Sequence, residues 1–334
     1  MVFCFGELLL RLSPSLGRKW IRDNNMPVFV GGAELNVATA LTKWGIPTKY
    51  CTALPDNYLS AEIIEEIRDK GIDPGPVHLS GKRVGLYYLP QGADMKNAGV
   101  IYDRSHSAFA ELAPGLINWE EVLKGCSWFH FSAISPALNN TVAAVCREAL
   151  YFASQKNLNI SIDLNYRSKL WQYGKKPTQV MPELVNYCNV IMGNIWAANS
   201  LLGMPVDDKI HHNPEKRRYL DHATQTADEL RRQFPVCKAV ANTFRFDKGD
   251  GIHYYAALNN EEGQFVSPEF NTRHVVDKVG SGDCFMGGLI YGSYKNHTPQ
   301  DVIDFAAAAA YGKLQEKGDT TNQTVQAVKK ILAN

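Results

Sequence analysis

The sequence predicts an α/β protein, a three-layer αβα sandwich with a mainly parallel central sheet, plus a small second sheet. Between residues 119 and 192, apolar runs of strand length alternate with stretches of helical period, which is typical of a parallel sheet. Between residues 76 and 102, short strand-like runs are instead separated by glycine, proline and asparagine turns. The chain has 334 residues, of which 45% are hydrophobic, so it can build a large core. We expect one domain over residues 1–334.

The first third of the chain predicts the start of the large sheet. Residues 33–44 have helical spacing, with Leu35, Ala38 and Leu41 on one face and Gly45 at the end. The elements predicted here are strands at 2–5, 8–12 and 26–30, a helix at 33–44, a strand at 48–53 and a helix at 58–70.

The small sheet is predicted from strands at 76–79, 83–89 and 100–102, which would pair with those at 8–12 and 26–30. It would therefore be formed by about residues 8–30 and 76–104. A small sheet at the edge of a ligand site is a plausible lid.

Polar side chains follow the predicted strands of the second half, where a parallel sheet binds ligands. Asp163, Asn165 and Arg167 come directly after one strand, and Asn194 follows the next. The remaining predicted elements are strands at 128–132, 159–163, 190–192, 237–242, 252–257, 263–266 and 271–274, and helices at 140–155, 178–187, 215–233, 281–294, 299–315 and 322–332.

Composition argues against several classes of protein. The net charge of +1 and the lack of a basic block give no support to nucleic-acid binding. Seven scattered cysteines without a C-x-x-C pair indicate a reduced protein without a structural zinc site. The adjacent His211 and His212 lie in a charged run, and we expect a solvated surface there, not a metal site. No apolar run approaches the length of a membrane span, and the N-terminus resembles a strand more than a signal peptide, so a cytoplasmic location is the default.

The stretch from Asp277 to Gly288 carries the strongest chemical signal. Gly280 and Gly282 flank Ser281, and Asp283 follows at once, at the start of a helix rich in small residues. Glycines allow a tight turn whose N–H groups point into one concavity, and the helix dipole adds positive potential, so the turn suits a phosphate. An acid at such a place can take a proton from a hydroxyl that attacks the phosphate. The alternative is an ordinary turn with Asp283 as a helix cap.

A second glycine turn, Gly31-Gly32 before Ala33-Glu34-Leu35-Asn36, lies about 250 residues earlier. With both turns in place, the chain resembles the ribokinase-like (PfkB-type) sugar kinases over almost its full length. The resemblance implies that the backbone of residues 280–282, including Ser281, forms an anion hole and that Asp283 is the catalytic base. It also implies ATP as the phosphoryl donor, with Mg²⁺ bridging its phosphates.

A narrower resemblance is to the 2-keto-3-deoxygluconate kinases. Three segments carry it: Asp163-Leu164-Asn165-Tyr166-Arg167, Tyr102-Asp103-Arg104 and Gly85-Leu86-Tyr87. The substrate of that subfamily is a sugar acid, and arginine offers a bidentate fork for its carboxylate. The implied substrate contacts are Gly32, Asn36, Tyr87, Tyr102, Arg104, Arg167 and Asp319. The implied nucleotide contacts are Asn165, Asn194, Thr243, Arg245, Gly280 and Gly282.

The chain departs from the family pattern at two places. Ala197 stands where the family often has a glutamate that helps to organise the metal, so we expect no metal ligand from the protein there. The usual glycine-rich stretch on the adenine side is altered over residues 242–251.

Other functions remain open at this stage. They are a kinase for a neutral sugar such as fructose or ribose, and a catalytically weakened sugar-acid binding protein. Surface ion pairs are the less favoured explanation of Arg104 and Arg167, and strand packing could equally explain Tyr87 and Tyr102. A dinucleotide-binding fold would need the pattern Gly-x-Gly-x-x-Gly directly after the first strand, and this sequence has only Gly6 there. Exposed edges of the small sheet favour a homodimer formed through that sheet.

Overall fold

The computed structural model describes residues 1–15, 20–90, 99–207, 209–212, 215–249 and 251–333. Parts of two predicted segments lie outside this range: residues 16–19 and 91–98 of the expected small sheet, and Asp250 of the expected adenine-side stretch.

Strands and helices alternate through most of the described chain. The strands are β1 (Val2–Phe5), β2 (Leu9–Leu12), β3 (Val28–Gly31), β4 (Thr48–Cys51), β5 (Ala53–Leu54), β6 (His78–Leu79), β7 (Gly85–Tyr88), β8 (Ile101–Asp103), β9 (Trp128–Ser132), β10 (Asn159–Asp163), β11 (Val190–Gly193), β12 (Ala239–Lys248), β13 (Gly251–Asn260), β14 (Gly263–Val266) and β15 (Phe270–Thr272). The helices are α1 (Trp20–Asp23), α2 (Ala33–Lys43), α3 (Tyr58–Asp69), α4 (Trp119–Val122), α5 (Asn140–Gln155), α6 (Pro177–Val185), α7 (Ile195–Leu202), α8 (Lys216–Gln233), α9 (Ser281–Tyr294), α10 (Pro299–Lys313) and α11 (Val325–Leu332).

A large sheet forms the centre of the fold. In the part of the chain described, its strand order is β14-β13-β12-β11-β10-β9-β1-β4, with β15 also paired to β13. The six strands from β12 to β4 are parallel to their neighbours, whereas β13 pairs antiparallel with β12, β14 and β15. The carboxyl ends of the parallel strands therefore meet at one edge of the sheet.

Alternate residues of the strands serve two separate cores, one on each face of the large sheet. On β1, Phe3 and Phe5 pack with residues of α5 and α6, while Val2 and Cys4 pack with residues of α2 and α9. This is the layered arrangement that the sequence predicts, and it confirms the fold class.

Helices α9 and α10 approach each other closely. A Cβ added to Gly288 would stand 2.5 Å from the Cα of Ala306, so only glycine allows this contact. The five alanines at 306–310 are completely buried. The close contact fixes the helix that begins at the Gly280 turn.

The small sheet has the strand order β3-β2-β7-β8 and stands apart from the large one. Its strands match the predicted segments to within one residue, with β3 and β8 each ending one residue later, whereas residues 78–79 pair with β5 in a separate two-stranded sheet. The strand predicted to end at residue 242 is longer, because residues 243–248 continue β12 in a long hairpin with β13. Helices α1, α4 and α7 were not predicted from the sequence. Among the described residues, no helix has the length and apolar character needed to cross a membrane.

Candidate active site

A cavity of about 510 Å³ lies at the carboxyl ends of the parallel strands and extends to the small sheet. Most of the side chains predicted for the site line this cavity. They are Gly32, Asn36, Tyr87, Tyr102, Arg104, Asn165, Arg167, Asn194, Thr243, Arg245, Gly280, Ser281, Gly282 and Asp283. Asp319 is the predicted residue that is not among the described lining residues.

The Gly280 turn opens α9 inside the cavity. Gly280 has a φ of 77°, and an added Cβ would stand 1.9 Å from the carbonyl oxygen of Asp319, so no other residue fits. The Ser281 hydroxyl donates to the carbonyl of Ala310 at 2.9 Å and so ties the turn to α10. The N-terminus of a 14-residue helix then faces the cavity, an arrangement that suits a phosphate group.

Asp283 is in the first turn of α9 and is only 9% exposed. The Asn36 side-chain nitrogen donates to its Oδ2 at 2.7 Å. Burial raises the pKa of Asp283 to about 6, although the Asn36 hydrogen bond and the positive charge of Arg167 oppose the rise. The Oδ1 of Asn36 is buried without a hydrogen-bond partner among the described residues. A ligand hydroxyl could therefore donate to it.

Two further carboxyl groups lie beside Asp283. Glu34, from α2, accepts hydrogen bonds from the backbone N–H and the hydroxyl of Ser132, and burial raises its pKa to about 7. Asp163, at the end of β10, has a pKa raised to about 8, chiefly by burial and then by the charge of Asp283. At neutral pH Asp163 is thus mainly protonated and Asp283 mainly ionised. Sequence reasoning noted Asp163 as a strand-end residue but missed Glu34.

Arg167 brings a positive charge to the same cavity. Its Nη1 donates to the backbone carbonyl of Tyr166 at 3.1 Å. Its Nε is buried and has no acceptor in the described part of the chain. Such a guanidinium has donors available for an anionic ligand.

Arg104 is already paired. Its Nε and Nη2 contact Oε2 of Glu7 at 2.6 and 2.5 Å, and both side chains are almost completely buried. The hydroxyl of Ser107 donates to the other carboxylate oxygen of Glu7. The positive charge of Arg104 is therefore balanced within the protein. Glu7 was missed as a site residue, although an acid directly after the first parallel strand is the signal that could have found it.

Asp319 lies behind the cavity wall. Its Oδ1 accepts from Arg11 at 2.7 Å, and its Oδ2 accepts from the Tyr87 hydroxyl at 3.0 Å. Arg11 also contacts Asp277 at 3.3 Å and stacks on the ring of Phe29. The predicted substrate contact of Asp319 stays a prediction, and in this structure Asp319 supports Tyr87 from behind.

Helix α7 and strand β12 carry three of the predicted nucleotide contacts. Asn194 caps α7, since its Oδ1 accepts from the N–H of Ala197 at 2.8 Å. Thr243 and Arg245 lie on β12, so this part of the altered adenine-side stretch is a strand. Lys278 lines the cavity as well, with its Nζ 3.2 Å from Asp247.

Known proteins resemble the whole chain. A 2-dehydro-3-deoxygalactonokinase of Haloferax volcanii is 27% identical, over 98% of this chain and 95% of its own length. Fructokinase-1 of Zea mays is 26% identical, over 87% of this chain and 82% of its own length. The crystal structure of 2-dehydro-3-deoxygluconokinase from Thermotoga maritima superposes with a TM-score of 0.90 at 31% identity, covering 100% of this chain and 98% of that one.

The family model of pfkB family carbohydrate kinases matches residues 1–326. This match covers both glycine turns and every residue named above as lining the cavity. It confirms the resemblance found in the sequence. The chain therefore belongs to the pfkB family of carbohydrate kinases, enzymes that transfer a phosphoryl group to an alcohol.

Proposed function

We propose that the protein phosphorylates the primary hydroxyl of a 2-keto-3-deoxy sugar acid, either 2-keto-3-deoxygluconate or its galactonate epimer. The observation that carries the proposal is the position of Asp283 beside the Gly280 turn, in the same cavity as the guanidinium of Arg167. The relatives named for these two sugar acids support the substrate class.

Asp283 is the proposed base. A substrate hydroxyl next to Asp283 would donate its proton to the carboxylate, and the unpartnered Oδ1 of Asn36 would accept from a second hydroxyl of the sugar. Asp283 accepts the hydroxyl proton as the oxygen bonds to the γ-phosphorus of ATP, while the bond from that phosphorus to the β-phosphate oxygen breaks and ADP leaves. The N–H groups at the start of α9 stabilise the negative charge that develops, and donors of this kind are worth about 10²–10³ in rate each.

ATP is the proposed donor, since sugar kinases of this family use ATP. Asn194, Thr243, Arg245 and Asn165 would hold the nucleotide at the far end of the cavity. We propose that Mg²⁺ enters with the nucleotide, held by phosphate oxygens and water, which it retains readily. Ala197 offers no carboxylate, so phosphate oxygens and water would supply the ligands at that place.

Arg167 is the proposed counter-charge of the substrate carboxylate. Its Nε has no partner in the described part of the protein, whereas the charge of Arg104 is balanced by Glu7. Arg104 would then help to shape the site with its planar guanidinium group, while Glu7 cancels most of its charge. Gly32, Tyr87 and Tyr102 would complete the sugar side of the cavity.

The test is a coupled ADP-release assay with the two sugar acids and with fructose and ribose. We expect turnover with a sugar acid at a kcat/KM at least tenfold above that of any neutral sugar. Asp283→Asn should fold, bind ATP and lose most turnover. Normal turnover of that variant, or no turnover of the wild type with any sugar acid, contradicts the proposal.

A neutral sugar is the second candidate. The Glu7–Arg104 pair favours it, because the cavity then offers the net charge of one arginine, not two, to a substrate carboxylate. The fructokinase relative is similar over most of the chain. A higher kcat/KM for fructose in the same assay would establish this alternative.

We propose a cytoplasmic location, because ATP is available there.

We also propose that the small sheet forms a dimer interface. Both edge strands carry an exposed aliphatic residue: Val28 on β3 is 56% exposed and Ile101 on β8 is 51% exposed. Unpaired edges of this kind favour association. Light scattering should give a dimer, and Val28→Lys with Ile101→Lys should give a monomer. A wild-type monomer at all concentrations would exclude the interface.

A further inference from the structure

Lys313 is a buried cation that the proposed chemistry does not use. It is the last residue of α10, and its side chain has no exposed surface. Its Nζ donates to the backbone carbonyls of Gly318 at 2.8 Å and Glu316 at 3.1 Å. No carboxylate oxygen of a described residue lies within 4.0 Å of it, so carbonyl groups alone hold the ammonium group there.

The side chain lies directly beneath the Gly280 turn. Its Cε is 3.5 Å from the point where a Cβ on Gly280 would stand. The backbone segment that it binds, residues 316–318, is also tied to the turn, since the N–H of Gly318 donates to Asp277. Lys313 therefore connects the end of α10 to the backbone that starts α9.

The charges around this turn show why a buried cation is tolerated. Asp277 and Asp319 are both buried, and both contact the one guanidinium of Arg11. One arginine balances one of these carboxylates, and the charge of Lys313 balances the other without touching it. Removing that charge would leave a net negative charge directly behind a turn that receives a phosphoryl group.

We propose that Lys313 is a positioning residue for phosphoryl transfer: its ammonium group fixes residues 316–318 under the Gly280 turn and supplies positive charge there. The proposal rests on the function proposed above. A positive charge in this low-dielectric place stabilises the negative charge of the phosphoryl group. It also stabilises the ionised form of Asp283.

The charge of Lys313 lowers the pKa of Asp283, against the larger effect of burial. Burial in turn lowers the pKa of Lys313, which the neighbouring acids oppose. The titratable and charged groups that face Lys313 are Asp277, Glu316, Cys284 and Asp319. Those that face Asp283 are Arg167, Lys313, Asp319, Asp163, Glu34, Tyr87 and Cys284.

Lys313→Met keeps the stem of the side chain and removes the charge. We expect kcat to fall about tenfold to a hundredfold, and the acid limb of kcat/KM to move to higher pH, with an unchanged KM for the sugar. Lys313→Arg keeps the charge, so the acid limb of its kcat/KM profile should stay at the wild-type pH. A lower melting temperature with unchanged kcat and an unchanged limb in Lys313→Met would show a merely structural role and overturn the proposal.

Lys313→Ala provides a second test if Lys313→Met does not fold. The vacated space should accept methylammonium, which restores the cation, but not the bulkier tetramethylammonium at the same ionic strength. Recovery of folding or turnover with methylammonium alone supports the proposal. Equal recovery with both cations, or with neither, overturns it.

A binding measurement separates this proposal from the proposed function. If the wild type turns over no sugar, the function fails, and calorimetry with ATP still compares Lys313→Met with Lys313→Arg. We expect weaker ATP binding in the methionine variant alone. Equal ATP affinities in the two variants contradict the proposed role of the Lys313 charge.

Discussion

The side-chain amide of Asn36 donates to Oδ2 of Asp283 at 2.7 Å, and this hydrogen bond joins α2 to α9. Each helix begins at a glycine with positive φ, 148° at Gly32 and 77° at Gly280. The two glycine turns, about 250 residues apart in sequence, thus meet at one hydrogen bond. Asn36 orients the carboxylate and stabilises its charged form.

The activity should depend on pH through Asp283. Since the pKa of Asp283 is about 6 and the base acts ionised, kcat/KM should rise as the pH rises through 6. Asn36→Ala removes a hydrogen bond to the charged form and should move this limb up by about one pH unit. Thr39→Ser, one turn further along α2, serves as the control. An acid limb at the same pH in Asn36→Ala would contradict the role of Asn36.

Arg167 should determine the preference for a sugar acid. Arg167→Gln removes the available guanidinium, so KM for the sugar acid should rise about tenfold to a hundredfold, by the free energy of a charge-assisted hydrogen bond. KM for a neutral sugar should stay within about twofold. Initial rates over a range of each sugar give both values, and an equal rise for both sugars would rule out a carboxylate contact.

Arg104 should affect stability more than specificity. Arg104→Ala leaves the buried Glu7 carboxylate without its cation, which typically costs about 3–5 kcal/mol of unfolding free energy. The double variant Glu7→Gln with Arg104→Gln removes both charges and should recover most of this loss. Urea denaturation of the two variants measures the difference. Equal destabilisation in both would show that the buried charge is not the cause.

Asp163 should make the protein less stable as the pH rises. Its pKa is about 8 in the folded protein against an ordinary value of 3.8, so the folded state holds a proton that the unfolded chain releases. The unfolding free energy should therefore fall between about pH 4 and pH 8. Asp163→Asn cannot ionise and should flatten this slope. Urea denaturation of both proteins at pH 5 and pH 8.5 tests this. An identical fall of the unfolding free energy with pH in the two proteins would exclude Asp163 as its cause.

Ala197 should limit the affinity for magnesium. Its side chain is buried at the cavity wall, near the proposed phosphate positions. Ala197→Glu adds a carboxylate and should lower the Mg²⁺ concentration for half-maximal rate several-fold, with Ala197→Gln as the uncharged control. A titration of the rate with Mg²⁺ measures this, and the same midpoint in both variants would show that the added charge does not reach the metal.

The sequence was sufficient to predict the elements that local signals define. Helices at 140–155 and 281–294 have the predicted bounds, because an asparagine cap starts one and a glycine turn the other. The hairpin of β12 and β13 was underpredicted, since its polar residues 243–248 resemble a loop until the partner strand is known.

The site was predicted in outline for the same reason. Gly280 and Asp283 are adjacent in the chain, so their relation is visible in the sequence. The partners that change the meaning of other residues are distant: Glu7 is 97 residues from Arg104, and Arg11 is 308 residues from Asp319. Long-range ion pairs of this kind leave no local pattern, and whether an arginine is available for a substrate depends on them.

The contact of Gly288 with Ala306 also restricts how this protein could acquire a different substrate. Any larger side chain at either place pushes α10 away from α9, the helix that carries the base, so few changes there would be tolerated. Substitutions at Tyr87, Tyr102 or Arg167 leave those helices untouched. Evolution or design can therefore exchange the sugar while the reaction stays the same.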